Sequence, residues 1–159
     1  MRYSQSALRQ NEPIHSVTSS EFPPPARISE PPKTLRVVDD DPMVRDLETQ
    51  ILRLQGYTVL EAQNAAEALR LAGETATIHF LVTDLMMPEV DGLELTRRFR
   101  EVHPTTPVLM VSGSLPVLHA RSEPDLDRFD FLAKPFHFNE LLHKVRTLLD
   151  ATAPLPIRK

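Results

Sequence analysis

From Leu35 onward, short apolar runs alternate with stretches in which apolar residues recur every three or four positions. LRVVDD reads as a β-branched strand. Asp41 and Pro42 follow it, a helix cap and then a proline at the first helical position. Val44, Leu47, Ile51 and Leu54 share one face of that helix, and Gly56 supplies its stop. YTVLEA is a second strand. NAAE then forms a capping box, Asn64 at the cap and Glu67 three residues on, opening a helix that carries Ala65, Ala68, Leu69 and Ala72 and that Gly73 closes. IHFLVTD is almost wholly apolar, as a strand buried on both faces requires. The loop LMMPEVDG leads to a helix with Leu93, Thr96, Phe99 and Val102 on one face. PVLMVSGS and FDFLAKP are the fourth and fifth strands, and NELLHKVRTLLD is a last helix with Leu141, Val145, Leu148 and Leu149 inward. This alternation predicts an α/β fold, a parallel sheet with helices on both faces. SLPVLHARSEPDLDR, residues 114–128, breaks the pattern: only Val117 to Ser122 could form a short helix, so a shortened or irregular element is expected there.

Composition changes the picture at the ends. Residues 1–33 hold six prolines and six serines with no apolar period, which predicts a disordered tail. The expected organisation is a tail over 1–33, one folded domain over 34–150 and a short tail over 151–159, the last too short to be an output domain. The net charge of −4 hides a split: residues 34–150 carry 12 basic and 19 acidic groups, net −7, while both tails are net positive. An acidic folded part argues against direct DNA binding. The chain has no cysteine, which excludes disulfides and thiolate chemistry. With no apolar run of spanning length and no signal-like apolar segment, the expected location is the cytoplasm, off the membrane.

Ligands of open parallel sheets bind outside the carboxyl ends of the strands. The first strand ends in Asp39 and Asp40, the third in Asp84, the fourth in Ser112 and the fifth in Lys134. Three acids, a hydroxyl and an ammonium thus meet at one edge. Carboxylates of this kind suit Mg2+, a hard cation that takes oxygen ligands. Asp40 and Asp84 can ligate it, and Asp39 can do so directly or through water. Asp41, immediately before Pro42, is assigned to the helix cap instead. A lysine and a hydroxyl opposite a metal-bound carboxylate suit phosphoryl transfer, in which charge spreads over three equatorial oxygens. Mg2+, Lys134 and Ser112 would each take one oxygen, and Asp84 would be the nucleophile, giving an aspartyl phosphate.

LRVVDDDP, LVTDLMMPEVDG, PVLMVSGS and FLAKPF stand in the order and at separations that resemble the receiver domain of two-component response regulators, over about residues 34–150. The resemblance implies a flavodoxin-like five-stranded sheet of order 2-1-3-4-5. It implies that Asp84 is the phosphoacceptor, that Asp39, Asp40, Asp84 and the backbone carbonyl of Met86 hold Mg2+, and that Lys134 pairs with the phosphoryl group. Ser112 becomes the switch hydroxyl and Phe131 the switch aromatic, and the bond before Pro135 is expected to be cis. The usual amphipathic helix and small-residue pair before the fifth strand are missing, which alters the family's output face.

The function expected is that of a stand-alone receiver, a phosphoprotein of a phosphorelay. A sensor histidine kinase or histidine phosphotransfer protein would phosphorylate Asp84 with Mg2+, and output would be contact with a downstream protein the sequence does not name. Such a switch catalyses its own phosphorylation and dephosphorylation without being a turnover enzyme. The alternative is a non-phosphorylated scaffold or adaptor, which would not need the full set of acids, hydroxyl and lysine. A hydrolase with a nucleophilic Asp84 would want a second acid two residues on, where Met86 stands.

Overall fold

The computed structural model describes residues 31–114 and 129–153. All but the last three residues of the tail expected over 1–33, the short helix expected within 114–128 and most of the C-terminal tail fall outside them. Five strands, β1 (Thr34–Val38), β2 (Thr58–Ala62), β3 (Phe80–Asp84), β4 (Val108–Ser112) and β5 (Asp130–Ala133), form one parallel sheet of order β2-β1-β3-β4-β5. Four helices accompany them among the described residues: α1 (Pro42–Leu54), α2 (Ala65–Glu74), α3 (Gly92–Val102) and α4 (Phe138–Thr152). None is long and apolar enough to cross a membrane.

The pleat of β1 separates two cores. Leu35 and Val37 face Leu52 of α1 and Leu141, Val145 and Leu149 of α4. Val38 faces the other way, toward Ala65, Ala68 and Ala72 of α2 and Leu93, Leu95 and Phe99 of α3. Phe80, Leu81 and Val82 of β3 have no exposure at all, as a central strand covered on both faces requires. Fully burying a side chain such as Phe80 stabilises the fold by about 1.5–3 kcal/mol. Strand order reverses at the β1/β3 pair, so the carboxyl ends of those two strands flank the crevice of the fold.

Local signals hold where the sequence placed them. Asp41 caps α1, its carboxylate accepting from the N–H groups of Met43 (2.9 Å) and Val44 (3.4 Å). Asn64 caps α2 by accepting from the Glu67 N–H at 2.8 Å, and Glu67 reaches back to the N–H of Gln63. Gly56, with φ of 90°, follows the end of α1 in the left-handed conformation that L side chains avoid.

Three expectations need correction. The apolar row Val44, Leu47, Ile51, Leu54 is not the buried face of α1: Leu47 is 54% and Leu54 82% exposed, while Glu48, Thr49 and Leu52 point inward. The helix is rotated so that its inner face meets the sheet, and the row lies partly on its outer flank. Gly73 does not close α2, which continues through Glu74 to a cap at Thr75. Val102 is exposed in the last turn of α3, and the inward position belongs to Leu95, which pattern reading passed over.

Candidate functional site

Each expected residue stands where its strand delivers it. β1 releases Asp39, fully buried, and then Asp40, which is exposed. β3 ends on Asp84, which is buried, and Met86 follows in the loop with its side chain half exposed. Ser112, the last residue of β4, is fully buried, and Lys134 comes directly after β5. The parallel register brings these ends level: Val38 pairs with Ala62 and Thr83, Asp84 with Val111, and Ser112 with Ala133.

Carboxylate oxygens of Asp39, Asp40 and Asp84 all lie within 4.8 Å of one another. Asp39 is anchored at three points. Its Oδ1 accepts from the N–H of Asp41 at 2.9 Å, its carbonyl accepts from Nη1 of Arg45 at 2.8 Å, and its Oδ2 accepts from Nζ of Lys134 at 2.8 Å. Lys134 also reaches Oδ1 of Asp84 at 3.5 Å. The ammonium therefore bridges the two buried acids.

Electrostatics show what the site lacks. Burial pushes the carboxyl of Asp84 up to about 6, against the pull of Lys134 and a hydrogen bond from the Met86 N–H, and the charges of Asp39 and Asp40 add to the rise. Burial would lower Lys134, but its hydrogen bond to Asp39 and the charges of Asp39, Asp84 and Glu48 outweigh that, so it is raised above its ordinary value. One ammonium does not neutralise three aspartates. Three hard oxygen donors within reach of one another and short of positive charge fit a divalent cation of the Mg2+ type.

Two other expected residues belong to β4 and β5. The Ser112 hydroxyl accepts from the N–H of Ser114 at 3.2 Å, and the Ser112 carbonyl accepts from the N–H of Lys134 at 2.8 Å. Phe131 is partly buried in β5, opposite Met110 in register, and packs on the α2–α3 core. The Lys134–Pro135 bond is cis, as expected.

Sequence reading missed three contributors. Arg45 holds the Asp39 carbonyl, from a helix position that sequence reading did not single out. Gly92 opens α3 so close to β3 that an added Cβ would run into the carbonyl oxygen of Asp84. Glu48 is a carboxyl only 1% exposed, on the inner face of α1. The spacing Val44, Glu48, Leu52 would have exposed it had the inner face been drawn one row over.

Comparison with known proteins agrees with this geometry. The profile of the response regulator receiver domain matches residues 35–146. The sensor kinase CckA of Brucella abortus is 36% identical over 118 residues, 74% of this chain and 12% of that protein. The response regulator MprA of a Mycobacterium species (strain KMS) is 37% identical over 123 residues, 77% of this chain and 53% of that protein. The chain thus spans about half of one relative and a small part of the other. The response regulator TrrA of Thermotoga maritima, solved in complex with Mg2+ and BeF, aligns with a TM-score of 0.64 at 29% identity, over 73% of this chain and 98% of that one. A five-stranded sheet of order 2-1-3-4-5, acids at its switch point and a profile match across most of the chain lead to one assignment: this chain belongs to the response regulator receiver family of two-component systems.

Proposed function

We propose that this chain works as a receiver that accepts a phosphoryl group on Asp84 from a sensor histidine kinase or histidine phosphotransfer protein. The observation that carries this reading is the Lys134 ammonium set between Asp39 and Asp84, with three aspartate carboxylates within 4.8 Å of one another. Asp39, Asp40, Asp84 and the carbonyl of Met86 would hold Mg2+, which would supply positive charge to the phosphoryl oxygens. The chain's own groups do the rest. With its carboxyl titrating at about 6, Asp84 is mostly ionised at pH 7 and is available as a nucleophile. One of its oxygens bonds to phosphorus as the P–N bond to the donor imidazole breaks, and the electron pair leaves with the nitrogen. Lys134, already near both acids, neutralises charge on the transferred group.

The phosphate adds about −1.5 to −2 charge beside acids that are already short of cations. Ser112 would turn its hydroxyl from the Ser114 N–H toward the phosphoryl group, and Phe131, partly buried behind it, would repack. Output would pass by protein contact. The net −7 of residues 34–150 supports this over direct binding to DNA.

The test is incubation with acetyl phosphate, with and without Mg2+, of wild type and Asp84→Asn, read on a phosphate-affinity gel. A Mg2+-dependent shift that the variant loses is the expected result. A folded wild type that never shifts would favour the non-phosphorylated adaptor.

A further inference from the structure

We propose that Glu48 is a positioning residue of the acidic site, a fourth carboxyl that sets, through Asp39 and Lys134, how strongly the three aspartates hold a divalent cation. The proposal rests on the receiver reading and names a part of the site which that reading does not include.

Glu48 lies one turn after Val44 and one turn before Leu52 on the inner face of α1, the helix that Asp41 opens directly after the metal-site acids. It is 1% exposed, and its Oε1 has no hydrogen-bond partner. An apolar side chain would fill this place without the cost of burying a carboxyl. The charges that act on Glu48 belong to the site: Asp39 from β1, Asp84 from β3 and Lys134 from the end of β5. α4, which also packs on α1, turns Leu141, Leu142, Val145 and Leu149 inward. β2 brings Glu61, which lies between Arg45 and Arg53.

Burial first, then the charges of Asp39 and Asp84 against that of Lys134, push the Glu48 carboxyl up to about 8. At neutral pH it is therefore mostly protonated and adds no charge. A divalent cation among the aspartates favours its ionised form, and by reciprocity the ionised form favours the cation. Lys134 loses its proton above this range, and comparison of wild type with Glu48 variants separates the contribution of Glu48 from that of any other group titrating between pH 7.5 and 9.

The experiment is calorimetric titration of the full chain with Mg2+ from pH 7.5 to 9, in two buffers of different ionisation heat, for wild type, Glu48→Gln and Glu48→Leu. Circular dichroism checks that each is folded. Wild-type affinity should rise by two- to fourfold across the window, on the order of what one carboxyl titrating near 8 can supply, with part of a proton released per Mg2+ bound. Both variants should give a flat profile and no release. A variant profile that follows wild type overturns the proposal. So does a wild type whose affinity is flat and releases no proton, a result that needs no variant. Absence of Mg2+ binding by wild type at every pH would instead sink the acidic-site reading, and this proposal with it.

Discussion

Lys134 Nζ stands 2.8 Å from Oδ2 of Asp39 and 3.5 Å from Oδ1 of Asp84, so the ammonium is held mainly by the acid of β1 and leans on the acid of β3. Asp39 is fully buried, and Lys134 is its charged partner across the site. Removing one member of a buried pair strands the other. Lys134→Met should therefore cost about 3–5 kcal/mol of unfolding free energy, toward the lower end because the lysine keeps some solvent contact. Denaturant unfolding without Mg2+ measures it. Adding Asp39→Asn to the variant should recover part of the loss. A cost below about 1 kcal/mol would mean that the pair behaves like a surface ion pair.

Three aspartates in a row divide two tasks. Asp41 caps α1 and Asp40 faces the site, and substitution should separate them. Asp41→Ala should lower stability by about 1 kcal/mol and leave Mg2+ affinity within error of wild type. Asp40→Ala should do the reverse, weakening Mg2+ binding with little change in unfolding, because Asp40 is exposed. Thermal unfolding and Mg2+ titration of both variants give the four numbers. Equal metal defects would place Asp41 in the site.

Two raised carboxyls make stability depend on pH. Asp84 rises from 3.8 to about 6 and Glu48 from 4.5 to about 8, burial being the main cause for each. The folded chain keeps these protons at pH values where the unfolded chain has lost them. Their contribution is therefore complete below about pH 4. It fades as pH passes 6 for Asp84 and 8 for Glu48. Unfolding free energy without metal should fall between pH 5 and 8, by at most about 1.4 kcal/mol per pH unit for each group. Glu48→Gln should remove most of the fall above pH 6.5. Urea unfolding at half-unit steps tests it, and a curve that is flat or rising over this range would contradict the assignment.

Most of the framework was legible because its signals are local. A cap such as Asp41 or Asn64 satisfies N–H groups two or three residues away, and the apolar run of β3 declares its own burial. The site was legible because strand ends in a parallel sheet must converge. Glu48 was not, because a carboxylate in an amphipathic helix normally marks the wet side. Only the packing of α1 on the sheet shows that Leu54 is outside and Glu48 inside. Arg45 escaped for a similar reason, since its role depends on a carbonyl six residues back. Leu47 and Leu54 deceived because spacing gives the members of a face without giving its direction.

Gly92 and Gly73 make a matched pair of opposite sign. An added Cβ at Gly92 would meet the Asp84 carbonyl oxygen, the Leu85 Cα at 3.0 Å and the Asp84 carbonyl carbon at 3.1 Å. All three are backbone atoms, so none can rotate away. The Gly92 N–H also donates to the Leu85 carbonyl at 2.9 Å, which ties the start of α3 to the loop that carries Met86. Gly92→Ala must therefore push the end of β3 and this loop apart. It should cost about 1–3 kcal/mol and, by moving Asp84 and the Met86 carbonyl, slow phosphorylation by acetyl phosphate and weaken Mg2+ binding together. At Gly73 a Cβ would meet nothing within 4 Å, and the residue lies inside α2. Gly73→Ala should stabilise the fold by about 0.5–1 kcal/mol and leave both functional readouts unchanged. Urea unfolding, Mg2+ titration and the phosphate-affinity gel on the two variants decide the matter. A Gly92→Ala protein with wild-type stability and metal affinity would show that the β3–α3 loop can yield without disturbing the acids.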